Sequence, residues 1–192
     1  MTSTNGLTKI CHVISLSFLF AVTSISNVNG MEKEKLIFSV HPFKPIIKLH
    51  RMFKPLLVNL EQQLDVKIEF RSGKSYDEVI ELYKEGISDF GYLGPAGYAK
   101  ASKDFPIEPL VRIMAKGKGT FQGVIIVKKG STIHTIKDLR QKRFAFGDPS
   151  STLSHYVPHD MLMNNNIFLK DLDSYAFTGK HDNVAWRVAW YV

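Results

Sequence analysis

Residues 143–154 read RFAFGDPSSTLS: a short β-rich run, the turn Gly147-Asp148-Pro149, then Ser150, Ser151 and Thr152 opening a helical segment that continues to Asn164. A strand that passes through a tight turn straight into a helix is a unit of α/β architecture. The turn also has a chemical consequence. The first N–H groups of a helix lack internal partners and carry the positive end of its dipole, so backbone donors and the Ser and Thr hydroxyls can together hold a tetrahedral anion there. Plain N-capping by a hydroxyl residue would produce the same letters. Pro158 lies inside the helical segment, and its missing donor predicts a kink or a split near it.

Toward the N-terminus the same alternation continues. Leu36 to Val40 reads as a strand, and Ile46, Leu49, Phe53, Leu56, Leu57, Leu60 and Leu64 recur at helical spacing, with Pro55 as an expected interruption. Val66 to Phe70 is a second strand. Ser75 and Glu78 form a capping-box pair for a helix from Tyr76 to about Glu85, which Gly86 stops. Phe90 to Leu93 reads as a buried strand, running through Gly94-Pro95 into a short helix around Ala96 to Ser102. Leu110 to Ala115 and Val124 to Lys128 are further β-rich runs, and a helix is expected from Ile136 to Gln141. Toward the C-terminus, Tyr175 to Thr178 reads as a strand and His181 onward as a helix. Val184, Val188 and Tyr191 or Val192 give that last helix an apolar face with no later element to cover it, so a C-terminally truncated chain is expected.

The first thirty residues differ from the rest. Lys9 is their only charged side chain, and an apolar run from Ile10 to Val22 precedes the small residues around Val28-Asn29-Gly30. This is the pattern of a cleavable secretory signal peptide, with cleavage expected after Gly30 and a periplasmic or otherwise exported product. The run is short for a membrane span. Cys11, the only cysteine, falls inside that segment, so the remaining chain holds no thiol for disulfides, thiolate catalysis or metal ligation. Without the segment, 24 basic residues face 18 acidic ones, a balance of +6. The Lys and Arg residues are scattered, without the dense basic-aromatic blocks of nucleic-acid binders, so an anionic solute fits this charge better than nucleic acid.

Several stretches in this order resemble one family. GDPSSTLSHYVPHDML, preceded by KGSTIHTIKDLRQKRFAF and followed by FTGKHDNVA, looks like the phosphate, phosphite and phosphonate solute-binding proteins of ABC importers. SDFGYLGPAGYAKA resembles that family's strand and turn in its first lobe, and VIIVKKGS its strand entering the second. The resemblance implies a two-lobed, type II periplasmic-binding-protein-like α/β fold with an incomplete second lobe, the first lobe spanning 31–120 and the partial second 121–192. It implies a monomeric binding component that hands a phosphonate-, phosphite- or phosphate-like anion to a membrane permease.

The same resemblance implies the ligand-binding residues. Ser151 and Thr152 would supply side-chain and backbone contacts, with Ser150 and the Leu153 amide adjoining. Many relatives have a second serine where Leu153 stands, so one hydroxyl contact is absent here. Tyr76 matches a ligand-contacting tyrosine of the first lobe, and His181 a histidine that approaches from the second. Tyr92 has a weaker claim and reads first as a strand residue; Asp182 reads as a helix cap.

Other chemistries fit less well. His155 and His159 are four apart, but Pro158 lies between them and no Glu is placed for a metalloprotease helix, so no metal site is expected. No Ser-His-Asp arrangement, phosphate-binding P-loop or dinucleotide glycine pattern is present, and the expectation is a binding protein without a cofactor rather than an enzyme. A ligand-sensing domain of a membrane signalling protein is the alternative, because similar lobes can serve that role.

Overall fold

The computed structural model describes residues 35–114 and 117–190. The N-terminal segment 1–30, with its expected signal peptide and Cys11, lies outside the described residues, as do Tyr191 and Val192. Among the described residues five strands and five α-helices alternate: β1 (Lys35–Val40), α1 (Ile46–Leu64), β2 (Lys67–Ser72), α2 (Tyr76–Lys84), β3 (Phe90–Tyr92), α3 (Pro95–Asp104), β4 (Arg143–Phe146), α4 (Val157–Met163), β5 (Ser174–Phe177) and α5 (His181–Trp190).

The first sheet has the order β2-β1-β3 and is parallel throughout, with Phe38 opposite Phe70 on one side and Phe90 on the other. Parallel neighbours require crossovers, which α1 and α2 provide. The periodic face of α1 puts Leu49 and Leu57 onto the sheet beneath Phe38 and Val40, with Phe53, Ile68, Phe70 and Phe90 packed around them. Pro55 does not interrupt α1; it sits on the exposed side of a continuous helix. At the start of α2, the Ser75 hydroxyl accepts from the Glu78 N–H at 3.1 Å, but the Glu78 carboxylate takes the Lys74 N–H at 2.6 Å. Only half of the expected capping box forms.

The second sheet pairs β4 with β5 in parallel, Phe146 opposite Phe177. Its core is Leu139, Phe146, Leu162, Ile167 and Leu172, with Ile125, Ile133, Ile136, Phe144 and Leu169 packed against them. The segment after β4 splits as Pro158 predicts, into a wide π-type turn at Thr152–Tyr156 and the helix α4. The cause is specific. Without an N–H, Pro158 cannot bond the Ser154 carbonyl, and that carbonyl instead accepts from Gly147 N–H at 2.9 Å. The turn thus folds back on the helix start, and only glycine fits there: a Cβ on Gly147 would lie 2.0 Å from Ser154 Oγ.

Three expectations fail. Residues 110–114 and 124–128 join no strand ladder, and Leu110, Val111 and Val124 are exposed. Their β-branched composition is a preference that a strand realises only beside a partner. The helix expected at 136–141 is a single 3₁₀ turn, Ile136–Leu139, capped by Thr135, whose backbone and hydroxyl both donate to Asp138. Asp182 does not cap α5; it pairs with Lys48 at 2.7 Å and Lys44 at 3.3 Å, both from the region of α1.

Candidate functional site

Ligand sites of parallel α/β sheets gather at the C-terminal ends of the strands, because the loops there open onto helix N-termini. In this chain the loops leaving strands of both sheets meet. His41 follows β1, Tyr76 begins the helix after β2, Gly94 follows β3, Gly147 to Thr152 follow β4, and His181 begins the helix after β5.

Backbone and side-chain bonds fasten these loops to one another. The Ala96 N–H, from the first turn of α3, donates to Thr152 Oγ1 at 2.9 Å. The His181 N–H donates to the Phe43 carbonyl at 3.1 Å. Asp148 is buried and bridges the two sheets: Oδ1 accepts from Ser150 N–H at 2.8 Å and Oδ2 from Tyr76 N–H at 3.4 Å. Burial raises the Asp148 pKa, and these two bonds oppose the rise. Ser150 donates its hydroxyl to Asp77 Oδ1 at 2.6 Å, which Lys100 Nζ also approaches at 2.9 Å.

Of the residues expected from sequence, Tyr76, Ser151, Thr152 and His181 come together. Ser151 is buried and caps the wide turn, its Oγ accepting from Ser154 N–H at 3.3 Å and lying 3.4 Å from His181 Nε2. Tyr76 is buried against the His41 ring, centroids 4.1 Å apart. Burial drives its phenol pKa up, opposed by a hydrogen bond from Ser151, so the phenol stays a neutral donor. Thr152 Oγ1, having accepted from Ala96, keeps its own proton to donate. Among the described residues neither the Thr152 nor the Leu153 N–H has an acceptor. Ser150 is set apart from the others, because its hydroxyl and its amide are both engaged in the bridge to Asp77 and Asp148.

The site's electrostatics are those of neutral donors. Burial lowers the His181 pKa, with the nearby Lys44 charge adding to the effect and Asp182 opposing it. The lysines closest to His181 are themselves matched by Asp182, whose carboxyl they hold below its usual range. An anion here would be met by oriented N–H and O–H groups, not by an unpaired cation.

Sequence reasoning missed His41, Asp148, Asp77 and Ala96. His41 is fully enclosed, between the rings of Tyr76 at 4.1 Å and Tyr92 at 5.3 Å, with Phe43 at 5.4 Å. Its place just after a strand C-terminus was the available signal. His155 and His159 lie elsewhere: the His155 ring packs edge-on to Phe146 and Phe177, and its Nδ1 bonds the Pro149 carbonyl at 2.6 Å.

Comparison with known proteins matches residues 38–190 to the family of ABC transporter, phosphonate, periplasmic substrate-binding proteins. A curated relative, the phosphate-import protein PhnD of Mycolicibacterium smegmatis, is 25% identical over 167 residues, covering 81% of this chain and 52% of its own length. Among solved structures, a PhnD protein of Prochlorococcus marinus in complex with methylphosphonate superposes with a TM-score of 0.65 at 20% identity, over 81% of this chain and 60% of its own. The binding-protein component of an ABC phosphonate transporter from Pseudomonas aeruginosa gives 0.66 at 18% identity, over 80% and 54%. The structural matches are likenesses of fold. The chain spans about half the length of the curated relative.

Proposed function

The chain belongs to the phosphonate periplasmic substrate-binding family of ABC transporters, and we propose that it is a non-catalytic binding component that captures a phosphorus oxyanion at the start of the Ser151-Thr152 helix segment. Tyr76 contributes from the first lobe and His181 from the second. In this reading the first lobe ends near residue 120, the N-terminal segment 1–30 directs export, and the ligand-bound form is handed to a membrane permease.

One observation carries the reading. The Thr152 and Leu153 N–H groups lack acceptors among the described residues, at a helix start where Ser151 caps the turn and the Thr152, Tyr76 and His181 side chains can donate. Such a cradle replaces the hydration of phosphoryl oxygens with fixed dipoles.

The bridges from Asp148 to Tyr76 N–H and from Thr152 to Ala96 N–H support a closed arrangement in which both lobes touch the ligand at once. The test is calorimetric titration of the full chain with methylphosphonate, phosphite, phosphate and sulfate. Saturable heat with a phosphorus oxyanion, and a melting temperature that rises with its concentration, is the expected result. No heat and no stabilisation with any of the three phosphorus anions would retire the proposal.

A further inference from the structure

We propose that Asp77 and Ser150 are positioning residues that form a closure latch, a hydrogen bond between the two halves of the site that gives nothing to the ligand and favours the closed form that holds one. The proposal rests on the closed arrangement described above and adds to it the residues that keep it shut.

Asp148, Ser150 and Thr152 are alternate residues of the turn that leaves β4, and each bonds a helix start in the half built on the first sheet. Asp148 Oδ2 accepts from the Tyr76 N–H of α2, the Ser150 hydroxyl donates to Asp77 Oδ1 one residue further along α2, and Thr152 Oγ1 accepts from the Ala96 N–H of α3. The three bonds differ in what else they touch. Asp148 holds the backbone of Tyr76, and Thr152 belongs to the cradle itself. Ser150 does neither. Its amide donates to Asp148 Oδ1 at 2.8 Å and its hydroxyl to Asp77 at 2.6 Å, which leaves it no donor for an anion. A hydroxyl whose proton goes to the opposite half acts on closure.

The chemistry of the pair suits a reversible contact. A hydroxyl donating to an ionised carboxylate makes one of the stronger hydrogen bonds. Yet the Asp77 side chain is 55% exposed, and Lys100, which pairs with it at 2.9 Å, is 48% exposed, whereas Ser150 is buried. When the halves part, water replaces Ser150 at a carboxylate that is already solvated. Lys100 stays beside that carboxylate, because α2 and α3 belong to the same half. No charge is stranded, so the bond biases the equilibrium without locking it. Lys100 also answers the repulsion between Asp77 and Asp148, which face each other across the boundary. Apparent affinity is the intrinsic affinity scaled by the fraction of protein in the competent form, so a bond present only in that form acts on every ligand alike.

The experiment uses the full chain with methylphosphonate and inorganic phosphate as probes. Ser150→Ala and Asp77→Ala are each expected to weaken calorimetric affinity about 3- to 10-fold, less than a fully buried bond to a charge would cost, because Asp77 is half exposed. The factor should be the same for both anions. The double variant should bind no more weakly than either single one, as for two ends of one bond. Asp77→Asn, which keeps an acceptor for Ser150, should fall between Asp77→Ala and the parent, and Lys100→Met should change affinity by less than about twofold. Pulsed electron spin resonance reads closure with no ligand present, from spin labels on Lys54→Cys in α1 and Met163→Cys in α4 in a Cys11→Ser background. One narrow distance distribution is expected with the latch intact. Adding Ser150→Ala should broaden it toward longer distances, and saturating methylphosphonate should restore the narrow form.

Unchanged affinity in Ser150→Ala and Asp77→Ala, or ligand-free distances that coincide with and without Ser150→Ala, overturns the latch and leaves the proposed function standing. A loss confined to one anion overturns it too, since that would mean contact with the ligand. A parent chain that binds neither anion retires the proposed function, and the ligand-free distances then judge the latch by themselves.

Discussion

The Thr152 hydroxyl accepts from Ala96 N–H at 2.9 Å and still has a proton to give, so one side chain both ties the lobes and faces the cradle. Thr152→Ala removes both bonds. Its affinity for methylphosphonate should fall by about 1.5–3 kcal/mol, the range for hydrogen bonds to charged groups, whereas Thr152→Ser should keep most of it; equal calorimetric affinity for all three proteins would contradict this. Ser151, Thr152, Tyr76 and His181 were legible as candidates because the motifs around them, taken together, resemble those of a known binding family. His41 and Asp148 were not, since their importance comes from partners 53 and 72 positions away, Gly94 and Tyr76, that no local pattern connects.

Helix α1 was read with both its bounds, because its apolar period runs unbroken for 19 residues. Pro55, expected to interrupt it, leaves one carbonyl of the preceding turn without its N–H partner on the exposed side. Pro55→Ala restores that bond, and chemical denaturation should show the variant more stable by about 1–3 kcal/mol, less the entropy that proline removes from the unfolded chain. The ion clasp between α1 and α5 is a different matter. Lys44 and Lys48 meet Asp182 with Lys48 Nζ mostly exposed, so Asp182→Asn should cost less than about 1 kcal/mol, and less again in high salt. A loss well above that in low-salt denaturation would mean the clasp dominates lobe contact. The runs 110–114 and 124–128 show the opposite lesson to α1: strands depend on non-local partners, so their composition alone could not make them strands.

Across the molecule, acidification should weaken the fold through its buried histidines. In the folded state His41 titrates at about 4, whereas unfolded it titrates near 6.5. The unfolded chain therefore binds the proton first, and stability that is fully present above pH 6.5 is lost as the pH falls toward 4, by about 3 kcal/mol for this one ring. His181, also lowered, acts with the same sign. Asp148 is raised, so its folded form gains protons early and offsets part of the loss. Melting temperatures between pH 7 and 4.5 should fall, and His41→Phe should flatten the profile; a flat profile in the parent would refute the assignment of a buried neutral His41. A second surface bears on solution behaviour. Residues 122–133, β4, β5 and α5 line an open, mainly apolar groove of about 1030 Å³, next to the exposed Tyr175 and Phe177. Enhanced fluorescence of a hydrophobic dye in native buffer is expected from it.

Alternation of strand and helix, the turn before Ser150 and the split at Pro158 could all be read in order along the chain, since each depends on propensities and bonds between residues close in sequence. So could the family, because several short motifs in one order are hard to meet by chance. The closed contact between the two sheets, the buried Asp148 bridge and the fixed neutral ring of His41 arise only on folding. They depend on which side chains share a volume and on how far water is excluded from it, and neither quantity exists until distant segments have packed.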